Sequence, residues 1–110
     1  MPTRWQVEDA RGRPVELAEA GWSHIIEHHR DDMAERESDI RLAVEAPDHV
    51  NADVDYAQRE VCYRSLGRGR RFVRVVIHYQ PVSPQGSWRG RIITAHLTFR
   101  EKRGEVRLWP

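Results

Sequence analysis

Apolar and polar side chains alternate along two stretches in the second half of the chain, residues 72–80 and 90–100. Successive side chains of a β-strand point to opposite faces, so this period of two predicts two strands with one apolar face each. A third strand is predicted over residues 59–66, and turn-forming residues at 67–70 and 81–86 separate the three. The alternation therefore predicts an antiparallel sheet whose dry face must be covered by another layer.

A helical period precedes the predicted sheet. Trp22, Ile25, His29 and Met33 recur at the spacing of one helix face, so an amphipathic helix is expected from about residue 20. A second helix follows and is expected to end before Pro47, because the residue preceding a proline avoids helical geometry. These two helices are expected to cover the sheet.

The predicted fold class is α+β, with two N-terminal helices packed on one face of an antiparallel β-meander of about four strands. No change of composition marks a linker, so residues 1–110 are expected to form a single domain. Its expected parts are an N-terminal hairpin or arm at 1–19, a helical layer at 20–47 and an antiparallel sheet at 58–109.

Charge is divided unequally between the two halves of the chain. Residues 1–57 hold 6 Arg and 14 Asp or Glu, whereas residues 58–110 hold 12 Arg or Lys and 3 Asp or Glu. Nearly all of the basic residues are arginine, whose planar fork of donors matches phosphate. The sheet half is therefore expected to face a polyanion such as a nucleic acid, unless its charge only balances the acidic helical half.

No stretch of the sequence is apolar and long enough to span a membrane, and no signal peptide is expected at the N-terminus. Cys62 is the only cysteine, which suits a reducing compartment and a cytoplasmic location. A cysteine embedded in a strand is usually a small buried hydrophobe, so Cys62 is not expected to act as a nucleophile.

The strand alternation also predicts which side chains face away from the helices. Val61 and Tyr63 are assigned to the dry face, with Cys62 on the opposite side of the same strand. The open face is expected to be basic and rich in imidazole. Its predicted members are Arg64, Arg74, His78, Thr94, His96 and Thr98.

The segment His24-Ile25-Ile26-Glu27-His28 matches the H-x-x-E-H string of inverzincin metalloproteases. Two histidines at i and i+4 of a helix can hold zinc while a glutamate activates water. A chain of 110 residues leaves little room for a third ligand and a substrate cleft, so a zinc hydrolase is the weaker hypothesis. His29 lies on the core stripe and is interpreted as a packing residue, whereas His24 and His28 remain candidates for function.

Metal-free RNA cleavage is the second chemistry that the residue types allow. It needs a general base for the 2′-hydroxyl, a general acid for the 5′-oxygen, and cations for the charge that develops at phosphorus. His, Glu, Arg, Thr and Tyr are suitable types, and all occur on or beside the predicted open face. The alternative is an ordinary polar sheet face with Arg–Glu pairs and no catalysis.

Several weak motifs follow one another in a recognisable order over roughly residues 13–98. They are Pro14-Val15-x-Leu17, Trp22-x-His24-Ile25-x-x-His28-His29, Ala46-Pro47-Asp48, Arg59-Glu60-x-x-Tyr63-Arg64, Val73-x-Val75-Val76 and Ile92-Ile93-Thr94-Ala95. In this order the chain resembles small phage-type members of the barnase–EndoU–colicin–RelE-like ribonuclease superfamily. The resemblance implies N-terminal helices packed on an antiparallel sheet, and metal-independent RNA cleavage by dispersed His, Arg and Thr or Ser side chains.

The resemblance also implies roles for individual residues. The predicted catalytic residues are His24 and His28 on the helix, Arg59 on a strand and Thr94 in a Thr-Ala step. The predicted substrate-binding residues are Arg64, Arg74, His78, His96 and Tyr63. No metal and no cofactor is expected.

The expected activity is that of a ribonuclease-like toxin domain from a toxin–antitoxin or phage system, acting by general acid–base chemistry on the phosphodiester. Its expected partners are RNA and an antitoxin or immunity protein, without membrane association. The alternative is a non-catalytic α+β module that binds RNA or protein. Salt-dependent RNA binding without turnover would favour that alternative.

Overall fold

The computed structural model describes residues 2–67 and 71–110. Within these ranges the strands are β1 (Thr3–Glu8), β2 (Pro14–Ala18), β3 (His49–Ala52), β4 (Arg59–Ser65), β5 (Phe72–Pro81), β6 (Trp88–Thr98) and β7 (Val106–Trp109). The helices are α1 (Glu19–Met33) and α2 (Glu37–Glu45), and both lie between β2 and β3 in the chain. The turn predicted at 67–70 falls mostly outside the described residues.

The α+β class and the two helices are confirmed, but the predicted number and order of strands are wrong. The described residues form a sheet of seven strands in the order β1-β2-β6-β5-β4-β3-β7, instead of about four. The β1–β2 hairpin precedes the helices, so the helices are not the N-terminal elements. The sheet is mixed, because β2 runs parallel to β6 through the pairs Val15–Gly90 and Glu16–Arg91.

Strand β3 lies within residues 48–55, a polar segment whose composition is typical of a turn. Its residues pair with β4 on one side and with β7 on the other, so both of its backbone edges are used. His49 and Asn51 of this strand are polar and yet buried. Because β3 lacks an apolar alternation, the sequence pattern does not predict it as a strand. The pattern therefore also does not predict that β7 pairs with β3 at the edge of the sheet.

Helix α2 follows its sequence pattern. Ile40, Ala43 and Val44 recur at i, i+3 and i+4, and all three are buried against the sheet. The helix ends just before Pro47, as expected from the restriction that a proline places on the preceding residue. Neither helix of the described chain has the length and apolarity needed to cross a membrane.

The main hydrophobic core lies between the helices and one face of the sheet, which we call the helix-side face; the opposite face is the open face. Helix α1 contributes Ile25 and Met33 to this core, and β5 contributes Val73, Val75 and Ile77. All five side chains are fully buried. Full burial of one such side chain is worth about 1.5–3 kcal/mol, so this layer is the main stabilising element.

The predicted faces of β4 are wrong. Cys62 pairs with Val75 and joins the main core, so its side chain points to the helix side. Val61 and Tyr63 point to the open face, where they form a second, smaller core with Val76. Because β4 carries buried residues on both of its faces, its pattern of apolar residues does not specify its orientation.

A register shift between Val76 and Ile77 also reverses part of the prediction for β6. Ile77 pairs with Ile92 while Val76 pairs with Thr94, so Ile93 is the extra residue of a β-bulge. Ile92 therefore joins the main core and Ile93 packs on the second core. Strict alternation predicts the opposite placement for both isoleucines.

Helix α1 lies along the outer edge of β6, beyond the point where β2 stops pairing with that strand. At the start of the helix, a Cβ added to Gly21 would lie 3.5 Å from the carbonyl oxygen of Ile92. Further along, the ring of His29 contacts that of His96. The helix thus runs in the same direction as the strand and brings its side chains to the rim of the open face.

Residues 99–105 connect β6 to β7, which lies at the far edge of the sheet beyond β5, β4 and β3. We call these residues the crossing segment. Its last residue, Glu105, receives hydrogen bonds from side chains of β3, β4 and β5. The crossing segment therefore passes over the open face and covers part of it.

Candidate functional site

Four side chains of the open face lie opposite one another on neighbouring strands. His49 of β3 pairs with Tyr63 of β4. Tyr63 pairs in turn with Arg74 of β5, and Arg74 pairs with His96 of β6. His29 of α1 extends the series, because its ring stacks on that of His96 with 5.2 Å between the centroids. We call these five residues the transverse row.

A buried carboxylate holds the centre of the transverse row. Glu105, whose side chain is 0% exposed, accepts hydrogen bonds of 2.6 Å from Arg74 Nη2 and 2.5 Å from Tyr63 Oη. Arg74 also donates from Nε to Tyr63 Oη at 3.0 Å. The three groups close a triangle, so the guanidinium of Arg74 is held in one orientation.

This triangle determines the charge state of its members. Burial opposes the charge on Arg74, but hydrogen bonds to Glu105 and Tyr63 outweigh it and raise the pKa of Arg74. Burial, reinforced by the hydrogen bond to Glu105, raises the pKa of Tyr63 to about 12. At neutral pH the guanidinium of Arg74 therefore keeps its charge, paired with the Glu105 carboxylate, beside a neutral phenol.

The β3 end of the row supports this triangle. The ring of His49 stacks on that of Tyr63 with 4.9 Å between centroids and 18° between the ring planes. His49 Nε2 also lies 2.5 Å from Oε1 of Glu101 in the crossing segment. His49 thus contacts both the row and the segment that covers it.

At the other end of the row, the backbone of α1 is kinked at His29. Its φ of −137° and ψ of 35° are not helical, although it lies inside the helix. The side chain is only partly buried and is not a member of the main core, which corrects its interpretation as a core packing residue. Its contact is instead with the imidazole of His96.

The two stacked imidazoles favour their neutral forms. Burial lowers the pKa of His29, and the charges of His28 and His24 add to that effect. Burial also lowers the pKa of His96, assisted by the neighbouring Arg74 and by His29. A neutral imidazole accepts a proton, so either ring is suited to act as a general base near neutral pH.

A concave pocket of about 810 Å³ opens between the transverse row and the crossing segment. Its lining residues are Arg74, His96, Thr98, Arg100, Glu101, Lys102 and Arg103. Four of these side chains are cationic: Arg74 is paired with Glu105 and Lys102 with Asp55, whereas Arg100 and Arg103 form no ion pair within residues 2–67 and 71–110. Such a concentration of positive charge in a cleft favours an anionic ligand.

His24 and His28 lie on successive turns of α1, with 4.6 Å between their ring centroids. Both are exposed, and their charges act on His29, which places them beside the α1 end of the row. They are the two residues of the H-x-x-E-H string that could bind a metal ion. Among the described residues, no group of three or more His, Cys, Asp or Glu is placed to hold one.

Thr94 faces the open side of β6, two residues before His96. Its Oγ1 is buried and, within residues 2–67 and 71–110, has no hydrogen-bond partner. Buried hydroxyls are normally paired, so the missing partner marks Thr94 as a residue that the described fold does not satisfy. The predicted position of Thr94 on the open face, like those of His96 and Thr98, agrees with the register.

Arg59 of β4, His78 of β5 and Arg91 of β6 lie opposite one another towards the other end of the open face. We call these three residues the lower row. His78 is four residues beyond Arg74 on β5, and both β5 and β6 separate Arg59 from α1. The structure therefore does not bring Arg59 together with the α1 histidines, although all were predicted to be catalytic.

Arg64, predicted to bind substrate on the open face, lies on the helix side. It pairs with Val73, a residue of the main core, and its Nη1 donates a hydrogen bond of 2.5 Å to the carbonyl oxygen of Ala46. Arg64 thus binds a carbonyl group just beyond α2. The other predicted substrate-binding residues lie on the open face, and they are Arg74, His78, His96 and Tyr63.

Sequence reasoning missed Glu105 and the cationic residues of the crossing segment. Glu105 is one of only 3 acidic residues in the basic half of the chain, and that rarity was the signal that could have found it.

Comparisons of the chain with protein-family models, with curated proteins and with solved structures find no match.

Proposed function

We propose that the protein is a metal-independent endoribonuclease whose reacting centre lies at the α1 end of the transverse row. The observation that carries this proposal is the stacked pair His29–His96 beside the fixed cation of Arg74. Neutral imidazoles next to a permanent positive charge are the groups that phosphodiester cleavage needs. The resemblance to the barnase–EndoU–colicin–RelE-like ribonucleases, some of which are toxins, supports the same activity.

In this proposal His96 is the general base. Its neutral imidazole accepts the proton of the 2′-hydroxyl while that oxygen forms a bond to phosphorus. Arg74 stabilises the negative charge that develops on the non-bridging oxygens, since its guanidinium is already oriented. The bond to the 5′-oxygen breaks as a general acid of α1, which we assign to His28, donates a proton to that oxygen.

The cationic pocket receives the RNA backbone next to the reacting phosphate. Arg100, Lys102 and Arg103 line it together with Arg74, so a phosphate bound there would meet several donors. The Thr94 hydroxyl, which lacks a partner in the described part of the chain, is placed to donate to the same backbone. RNA is accordingly the partner that we propose for the open face.

The test is cleavage of total RNA in EDTA by the purified protein and by His96→Ala and His28→Ala variants. Loss of an acid or a base should lower the rate by about 100-fold or more. Arg41→Gln is the matched control, because Arg41 lies on α2 and pairs with Glu45 away from the open face. Circular dichroism checks that each variant is folded.

Equal cleavage by the wild type and the two histidine variants would indicate a contaminating nuclease and contradict the proposal. RNA binding that depends on salt but is not followed by cleavage would instead favour the non-catalytic module. Cleavage that survives in Arg41→Gln and is lost in His96→Ala is the outcome that supports the proposed centre.

A further inference from the structure

We propose that the lower row, Arg59, His78 and Arg91, is a second phosphate-binding site, so that the open face holds single-stranded RNA at two separated phosphates. The inference rests on the proposed function, since it takes RNA as the ligand. It changes the predicted role of Arg59 from catalysis to substrate binding. It also defines a minimum length for a substrate that uses the whole face.

The first observation is a pair of polar atoms without partners. Arg59 Nε and His78 Nδ1 are both buried, and neither has a hydrogen-bond partner among the residues that the structure describes. The two residues are direct neighbours across β4 and β5. Buried polar groups are normally satisfied, so two adjacent unsatisfied atoms indicate that the described fold alone does not complete this end of the open face.

The second observation is uncompensated positive charge. Within the described ranges, neither Arg59 nor Arg91 forms an ion pair with a carboxylate. Glu60, the acidic residue next to Arg59, is instead paired with Arg11 and Arg13. The lower row therefore presents two guanidinium groups that an anion would neutralise.

The third observation is an aromatic ring under one of these cations. The guanidinium of Arg59 lies 4.0 Å from the ring centroid of Tyr56, a residue that is 54% exposed. Stacking of this kind orients a guanidinium and leaves its edge free to bind oxygen atoms. An exposed aromatic ring beside a phosphate-binding cation is also the arrangement by which proteins bind single-stranded nucleic acids.

The spacing of the two sites selects an extended strand. Arg74 and His78 are four residues apart on β5, which corresponds to about 13 Å at about 3.3 Å per residue. This exceeds the gap between consecutive phosphates of an extended strand, so one further phosphate lies between the two that are bound. Thr94 occupies the corresponding middle position on β6, and rotation of its buried, unpartnered hydroxyl would bring it to that phosphate.

The open face then contacts three consecutive phosphates. The shortest RNA with three internucleotide phosphates is a tetranucleotide. The test uses non-cleavable 2′-O-methyl RNA, from dinucleotide to hexanucleotide, titrated into the intact protein with fluorescence anisotropy as the readout. For the wild type we expect an affinity step of about tenfold between trinucleotide and tetranucleotide, and smaller gains beyond it.

Arg59→Gln should remove this step and leave the dinucleotide affinity within about twofold of the wild type. It should also reduce the slope of log affinity against log salt for the tetranucleotide by about 0.7, the value for one phosphate contact on a single strand. Arg41→Gln, which removes the same charge from α2, should keep both the step and the slope. Arg91→Gln, at an exposed residue, provides a second variant should Arg59→Gln fold poorly.

The outcomes separate this inference from the proposed function. A wild type without a step, or a step kept in both Arg59→Gln and Arg91→Gln, overturns the second site. A step that depends on Arg59 in a protein that never cleaves RNA contradicts the proposed function and supports the second site. Cleavage that requires His96, together with RNA binding that does not depend on Arg59, supports the proposed function and contradicts the second site. Failure to bind RNA of any length overturns both proposals.

Discussion

Glu105 Oε2 lies 2.6 Å from Arg74 Nη2, although the chain crosses over three strands between leaving β6 and reaching this contact. The carboxylate is fully buried and also accepts a hydrogen bond from Tyr63 Oη. The crossing segment is thus joined to the sheet by a charged contact at the centre of the candidate site. Stability of the fold and orientation of the proposed phosphate-binding cation depend on the same carboxylate.

Glu105→Gln should therefore destabilise the protein substantially. The substitution leaves the guanidinium of Arg74 buried without its counter-charge, and breaking a buried pair in this way costs about 3–5 kcal/mol. Urea unfolding measures the change. Glu101→Gln is the control, because this carboxylate of the crossing segment is exposed and its removal should cost less than about 1 kcal/mol. Similar losses in both variants would contradict the role assigned to Glu105.

The stacked imidazoles should titrate below the ordinary histidine pKa of 6.5. Burial lowers the pKa of His96 and the Arg74 charge adds to it, whereas the charge of Asp32 opposes the shift. Asp32→Asn should therefore lower the pKa of His96 further. NMR titration of the imidazole signals gives both values directly, and a value for His96 at or above 6.5 would contradict the prediction.

The same shifts make the folded state sensitive to acid. For His29 and His96 the folded pKa is lower than the unfolded one, so the unfolded chain binds more protons as the pH falls below about 6.5. Their contribution to stability is complete above that pH and is lost as the pH falls through the folded values. In cleavage assays the proposed general base, His96, should likewise stay active at a lower pH than an ordinary histidine would allow.

Asp9 should control a second, more acidic transition. It accepts hydrogen bonds from Tyr79 Oη at 2.7 Å and from Arg13 Nε at 2.8 Å. Burial opposes its ionisation, but these and the backbone hydrogen bonds outweigh it and lower the pKa of Asp9 from 3.8. Its stabilisation is therefore present above that pH and lost as the pH falls through the folded pKa.

Asp9→Asn should lower the free energy of unfolding by about 2–4 kcal/mol at neutral pH, and by less at about pH 3. Urea unfolding at the two pH values measures the difference. Asp55→Asn removes an exposed carboxylate and serves as the control, with little change at either pH. An Asp9 effect independent of pH would show that the lost hydrogen-bond geometry matters more than the charge.

Gly90 should not tolerate a larger residue. A Cβ at this position would lie 2.8 Å from both Ile77 Cγ2 and Tyr79 Cε1, inside the main core. Overpacking of this kind costs about 1–3 kcal/mol, so Gly90→Ala should lower the melting temperature. In the matched Gly21→Ala variant the nearest contact would be 3.3 Å, and a smaller change is expected. Equal changes in the two variants would contradict the packing argument.

The parts of the fold that sequence patterns predicted are those whose apolar residues recur with a clear period. Helix α2 and strand β5 have a clear period, and both lie where they were expected. Strand β4 carries Val61, Cys62 and Tyr63, buried on alternating faces by two different cores, so its period could not tell the faces apart. The polar strand β3 is buried because of its partners, which no local pattern specifies.

The candidate site was likewise predictable from the sequence only in part. The open-face positions of Arg74, His78 and His96 follow from alternation within single strands. The contact of His29 with His96 depends on how α1 lies against the sheet, and that of Glu105 with Arg74 depends on the path of the crossing segment. Both are tertiary contacts between distant parts of the chain, so they required the folded structure.

The position of α1 along the outer edge of β6 has a mechanical consequence. A helix satisfies its backbone hydrogen bonds internally, so no ladder fixes its height or tilt relative to the strand beside it. The contact between His29 and His96 is therefore held by side-chain packing, including that of Ile25 and Met33 in the main core, and not by backbone pairing. A substitution that repacks this contact, at Gly21 for example, should change the distance between the two imidazoles and with it the rate of the proposed cleavage.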